Sequence, residues 1–196
     1  MATEQVKVTK RKVAWGITGA GDKIAEFIEV MREIKKEYEN VVEIQVFLSK
    51  AAETVLKFYK LENELKQNFA KVSVELNSNA PFLAAWMQMR KYEFLLIAPA
   101  TSNTVAKIAN SIGDSLLSNA AIMSLKAFVP VYIVPTDYKE GVVYTKLPNG
   151  KEMKLRIRKE EVEQVKKLEL MEDVFVLKNP QKIHDVFKKW FGQTEP

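Results

Sequence analysis

Residues 94–99, FLLIAP, constrain the fold of this chain more than any other segment. They form a near-continuous apolar run that reads as a strand, and a strand apolar on both sides needs cover on both faces. Residues 12–18 (KVAWGIT) and 129–135 read as buried strands in the same way, and 41–48 as a further strand. Between them lie helical patterns. Ile24, Phe27, Ile28, Met31 and Ile34 recur at helical spacing, with Asp22 as the expected cap. Residues 51–59, 61–69, 81–89, 103–112 and 114–127 also read as helices, the last two broken at Gly113, and 72–76 as a short extended piece. Strand and helix alternating in this order imply an α/β fold with a parallel sheet, right-handed crossovers and helices on both faces.

The C-terminal third reads differently. Residues 142–147 and 152–158 flank Pro148-Asn149-Gly150, a strong hairpin signal, and the second strand is polar and basic. This pair is expected to project from the sheet as an arm over about 142–158. A helix at 160–171, a strand at 174–177 and a helix at 180–191 follow. No internal repeat or low-complexity stretch divides the chain, so residues 1–196 are expected to form one domain.

Composition removes several kinds of chemistry. The chain has no cysteine, which excludes disulfides, iron–sulfur clusters, zinc–thiolate sites and thiol nucleophiles. Redox chemistry would therefore have to come from a bound organic cofactor. The single histidine, His184, excludes the usual multi-histidine metal sites, so no metal is expected. No apolar run approaches the roughly 18 residues of a membrane span. Residues 1–12 are polar and basic without an apolar stretch, unlike a secretory signal, so the expected location is the cytoplasm. The net charge is +5 and the isoelectric point about 9.2, but Lys and Arg are spread along the chain apart from a concentration at 151–159. Without an aromatic-studded basic motif, nucleic acid is not the expected partner; acidic proteins and phosphorylated cofactors fit this charge.

In parallel sheets of this kind ligands bind beyond the carboxyl ends of the strands. Three loops lie there: 18–22, 49–52 and 98–104. The first carries Gly19, Ala20 and Gly21 between a strand and a helix. Such a turn either lets backbone amides approach a phosphate or simply meets a need for a tight turn. It lacks the third glycine of a dinucleotide fingerprint, because Ala25 stands there, and it has no Lys-Ser/Thr pair of a nucleotide loop. Ser49 in the second loop either caps a helix or reaches a phosphate held between the first two loops. The third loop is the most specific. Pro99 and Ala100 are small enough for a flat ring to lie close to the backbone, while Thr101, Asn103 and Thr104 offer donors and acceptors to ring heteroatoms.

The segment APATSNTVAKIANSIGDSLLSNAA, with GITGAGD and Ser49-Lys50-Ala51-Ala52 at matching spacing, resembles the homo-oligomeric flavin-containing cysteine decarboxylase family. The resemblance covers roughly residues 12–137. It extends to the C-terminus for the archaeal flavoprotein branch, the archaeoflavoproteins, which includes dihydromethanopterin reductases. It implies a flavodoxin-like three-layer sandwich, non-covalent FMN, and homo-oligomers built from trimers up to dodecamers or larger. By position it implies that Gly19, Ala20, Gly21 and Ser49 hold the FMN phosphate. Pro99, Ala100, Thr101, Asn103 and Thr104 would face the ring or its ribityl chain. Trp15 and Trp86 invite a stacking role, but core packing is the expected role of each. Lys50 and Lys107 are candidates for stabilising an anionic reduced flavin, or are solvated surface lysines.

The sequence also departs from relatives. The family's decarboxylases carry a histidine before the third core strand and a Pro-x-Met-Asn clamp after the fourth. Here residues 72–82 hold no histidine, and the clamp stretch reads Pro135-Thr136-Asp137-Tyr138. His184 is expected at the surface or in packing. The position resembling a phosphate-binding arginine of the flavin prenyltransferases is Asn119. These departures disfavour both transferase and lyase chemistry. The leading expectation is an FMN redox protein, an electron carrier or reductase supplied by ferredoxin. The alternatives are a decarboxylase or flavin prenyltransferase-type enzyme, and a non-catalytic flavin-binding module.

Overall fold

The computed structural model describes residues 9–192. Most of the polar, basic lead-in read at 1–12 lies outside the described residues. The first half runs β1 (Arg11–Ile17), α1 (Ile24–Glu37), β2 (Val42–Leu48), α2 (Lys50–Phe58), α3 (Glu62–Asn68), β3 (Val72–Val74) and α4 (Leu83–Gln88). There follow β4 (Leu95–Ala100), α5 (Ser102–Ala109), α6 (Leu116–Lys126) and β5 (Val131–Pro135). The remainder is the pair β6 (Gly141–Lys146) and β7 (Glu152–Ile157), then α7 (Lys159–Glu169), β8 (Val174–Val176) and α8 (Lys182–Phe191).

Six strands form one sheet in the order β3-β2-β1-β4-β5-β8, and every pairing in it is parallel. The apolar run that opened the sequence reading is β4, buried at every position, at the centre of the sheet. Alternate side chains of each strand enter one of two cores. Trp15, Val46 and Leu96 face the layer of α1, α2, α3 and α8, while Phe47, Leu95, Ile97 and Ile133 face that of α4, α5, α6 and α7. The α/β flavodoxin-like sandwich is therefore present. The pair β6–β7 forms its own two-stranded antiparallel sheet, separate from the six.

Three details differ from expectation. Asp22 does not cap α1; Lys23 occupies the N-cap in a left-handed conformation, with no side-chain cap. The strand expected at 72–76 stops at Val74, because the Leu76 amide turns back to the Ala80 carbonyl at 2.8 Å. The helix expected from residue 114 begins at Leu116, where Ser115 and Ser118 form a reciprocal capping box. Glu75, at the end of β3, accepts from the Lys50 amide at the start of α2 and the Leu116 amide at the start of α6. One carboxylate thus satisfies donors at two helix N-termini, where negative charge is favoured.

Candidate functional site

β1 and β4 lie side by side, but the chain leaves them in opposite directions. α1 packs on one face of the sheet and α5 on the other. The loops after the two strands therefore diverge and leave a crevice at the topological switch point, where open α/β sheets bind ligands. A cleft of about 380 Å³ opens there. Gly19, Ala20, Gly21 and Asp22 line it from the loop after β1, and Thr101, Ser102 and Asn103 from the start of α5. Thr136 and Asp137, after β5, and Tyr59, after α2, complete the sides. A second cleft of similar volume, beside β3 and α4, is lined by Lys12, Gln45, Lys71 and Trp86 and lies away from these loops.

Thr18 fastens the two loops together. Its side chain is 2% exposed; its hydroxyl donates to the Pro99 carbonyl at 2.8 Å and accepts from the Thr101 amide at 2.8 Å. The Thr18 amide adds a bond to the same carbonyl at 3.2 Å. On the far side, the Thr136 amide donates to the Ala100 carbonyl at 3.0 Å, tying the loop after β5 to the end of β4. Tyr138 holds the next part of that loop by donating to Glu169. Burial first, and that bond second, push its phenol above the ordinary value, so it remains protonated.

The glycines of the first loop are required by space rather than by backbone angle. A Cβ on Gly19 would stand 2.5 Å from the Ala51 Cβ, and one on Gly21 would stand 2.6 Å from the Tyr59 hydroxyl. The loop thus lies directly on α2 and its C-terminal end. Gly19→Ala is expected to cost about 1–3 kcal/mol in urea unfolding through overpacking. Adding Ala51→Gly removes the opposing methyl, so the double variant is expected to be more stable than the sum of the two single losses by at least about 0.5 kcal/mol. Strict additivity would show that the two Cβ positions do not meet.

At the start of α5, Thr101 is the N-cap and accepts from the Thr104 amide at 3.4 Å. The Ser102 hydroxyl donates to Asp137, and Asn103 stands exposed on the first turn. The amides of Gly19, Gly21, Asp22 and Lys23 donate to no backbone carbonyl among the described residues, and no side chain caps α1. Unpaired amides at one helix start, facing a second helix start across the cleft, suit an anionic group.

The hairpin forms the cleft's remaining wall. Its register sets Val143 opposite Leu155 and Thr145 opposite Met153 on one face, and all four line the cleft. The other face pairs Val142 with Arg156 and Tyr144 with Lys154. The Tyr59 hydroxyl meets the Lys146 carbonyl at 3.5 Å, linking the end of α2 to the hairpin.

Of the residues singled out in the sequence, Gly19, Ala20, Gly21, Thr101 and Asn103 come together in the cleft lining. Pro99 and Ala100 lie buried beneath it in β4. Ser49 caps α2 by accepting from the Ala52 amide at 3.0 Å, and neither it nor Thr104 lines the cleft. Trp15 is fully buried, and its indole donates to the Ala98 carbonyl at 2.7 Å; Trp86 packs against Phe47. Both therefore pack in the core as expected. Lys107 pairs with Asp114 at 2.9 Å and Lys50 is exposed; neither lines the cleft. His184 lies on α8, 3.4 Å from Glu33. Asn119 donates to the Ser78 carbonyl and the Asn79 side chain, pinning the turn after β3. Sequence reasoning passed over Thr18, Ser102, Tyr59, Asp137 and the hairpin's inner face as site residues. Only Thr18 and Ser102 carried a signal, as hydroxyls inside the loops already identified.

No helix among the described residues is long and apolar enough to cross a membrane, and no group of three or more metal-ligating side chains occurs among them. The chain resembles several known proteins. A Methanocaldococcus jannaschii protein described only as uncharacterized is 46% identical over 178 residues, covering 91% of this chain and 95% of its own. A dihydromethanopterin reductase (acceptor) from the same organism is 33% identical, covering 90% of this chain and 95% of its own. The crystal structure of Burkholderia xenovorans DmrB in complex with FMN, described as a cubic protein cage for redox transfer, is similar with a TM-score of 0.78. It shares 29% identity, covering 93% of this chain and 96% of that one. Residues 1–189, nearly the whole chain, match the family described as Flavoprotein, so the switch-point cleft, its paired helix starts and its glycine loop are those of a member of the flavoprotein family.

Proposed function

We propose that the cleft holds FMN and that the protein is an FMN-dependent redox protein, an electron carrier or reductase supplied by ferredoxin. The observation that carries this reading is the meeting of the Gly19–Gly21 loop and the start of α5 over a cleft lined, among the described residues, by no lysine, arginine or histidine. An anionic ligand would there be held by backbone amides. The lining supplies little general acid–base chemistry, so the cofactor must carry the reaction. FMN, when bound, supplies one- and two-electron transfer. The amides of Gly19 and Gly21, free among the described residues and on either side of Ala20, would hold its phosphate, with Ser49 at the neighbouring turn capping α2. Thr101 and Asn103 would face the ring and ribityl chain, with Pro99 and Ala100 buried beneath them as the floor and Thr104 bonded to the Thr101 cap. The apolar inner face of the hairpin would limit access of water.

Two relatives support a redox role, one named as a reductase and one as a cage for redox transfer. The net charge of +5 suits encounter with an acidic electron donor. We extend the proposal to a homo-oligomer, trimer-based and up to a dodecamer or larger, acting in the cytoplasm. Leu76, Phe82 and Met89, in α4's flanking segments, and Phe128, just beyond α6, support assembly: all four are exposed, and a second copy would cover them.

The test is an absorbance spectrum of the purified protein followed by anaerobic titration with reduced ferredoxin. A flavin spectrum that bleaches at stoichiometric ferredoxin is expected. A flavin that stays oxidised would remove ferredoxin as donor, and a protein that takes up no FMN would remove the reading altogether.

A further inference from the structure

We propose that the outer face of the β6–β7 hairpin is the docking surface for an acidic redox protein that exchanges electrons with the cleft. The proposal rests on the FMN redox reading above and names where the partner of that site sits.

A strand turns alternate side chains to opposite faces. The ribbon that lines the cleft with Val143, Thr145, Met153 and Leu155 therefore carries Val142, Tyr144, Lys146, Glu152, Lys154 and Arg156 on its back, and all six are exposed. Residues 141–157 hold four cations, Lys146, Lys151, Lys154 and Arg156, against the single carboxylate Glu152. They thus carry three of the chain's five net positive charges. Among the described residues none of these four pairs with a carboxylate, whereas Arg158 and Lys159, just after β7, are committed to Glu161 and Glu163. Like charges held close together repel one another, and a partner that brings carboxylates relieves that repulsion. The face is not wholly ionic. Tyr144 is 64% exposed and Val142 52%, and they stand opposite Lys154 and Arg156 in the ladder. Tyrosine and arginine exposed in one patch match the composition of a protein interface. Position selects a redox partner: a protein seated on this back is separated from the cleft by one two-stranded sheet.

Two double variants separate this patch from net charge. Lys154→Gln with Arg156→Gln removes two charges from the hairpin's back and touches no residue of the cleft lining. Lys36→Gln with Lys188→Gln removes two exposed charges at the far end of α1, beside Glu37 and Tyr38. Binding of oxidised ferredoxin is read by calorimetry, and reduction of the FMN-loaded protein by reduced ferredoxin by stopped flow. At low salt the hairpin variant is expected to lose about fivefold or more in both affinity and second-order rate, and the α1 variant less than about twofold. FMN affinity should match the parent in both. The parent's rate should fall steeply with salt, and in about 1 M salt, where the screening length is about 3 Å, the variants and the parent should converge. A hairpin variant that keeps the parent's affinity and rate, equal losses in the two variants, or a parent rate indifferent to salt overturns the docking surface and leaves the redox reading standing. Retention of polyuridine by the parent that the hairpin variant loses, with its ferredoxin rate unchanged, would assign the patch to nucleic acid instead. A parent that loads FMN but is not reduced by ferredoxin removes the donor and its dock together, and a parent that takes up no FMN removes the redox reading as well.

Discussion

Trp15→Ala is expected to lower the unfolding free energy by about 3–5 kcal/mol, the range for emptying a fully buried aromatic site. For a chain of this size that corresponds to a fall in thermal midpoint of roughly 6–20 °C. Trp15 sits at 0% exposure in the central strand, edge-on to Phe69 with ring centroids 5.2 Å apart. Its indole N–H is also committed to the Ala98 carbonyl, one residue before the proline beneath the cleft. Trp15→Phe separates the two contributions, since it keeps most of the ring and loses the donor. It is expected to fall between the unsubstituted protein and the alanine variant in calorimetry. An alanine variant within about 1 kcal/mol of the parent would mean that the ring is not packed as described.

Thr18→Val should act on the site more than on the core. Valine matches threonine in shape but can neither donate to Pro99 nor accept from Thr101, so the Thr101 amide loses its partner. A partly buried amide left without a partner costs about 1–3 kcal/mol. The latch joins the loop before α1 to the loop before α5, so the cleft's two sides should drift apart. FMN affinity, read by flavin fluorescence titration, is expected to fall about tenfold or more, as each 1.4 kcal/mol is tenfold. Thr18→Ser keeps the hydroxyl and should bind FMN nearly as the parent does. Equal flavin affinity and equal unfolding curves for the valine variant would show that the two loops hold their places without the latch.

Local pattern made the sandwich legible. Apolar runs of strand length and a 3.6-residue helical period depend on neighbours close in sequence, and β1, β2, β4, β5 and α1 follow them closely. Helix ends were harder to read. Lys60, Arg90, Ser111 and Phe128 take left-handed conformations just beyond α2, α4, α5 and α6. Glycine is the usual signal there, and these residues give none. Tertiary contacts hold them in a conformation that costs each roughly 1–2 kcal/mol.

The candidate site divides along the same line. By itself, the sequence determined that a ligand cleft lies at the carboxyl ends of parallel strands, with a glycine loop and a Thr-Ser-Asn cluster at its edges. It also determined that cysteine and multi-histidine chemistry are absent, because both are matters of residue type and order. Tertiary structure alone decided which hydroxyl ties the loops together, that Ser102 pins Asp137, that Lys107 is committed to Asp114, and that the hairpin forms a wall of the cleft. The partners are far apart in the chain: Thr18 meets Pro99 across 81 positions, and Ser102 meets Asp137 across 35. No local pattern encodes such a pairing. It exists only once strand order has brought β1, β4 and β5 side by side and the hairpin has settled with its apolar face toward their ends.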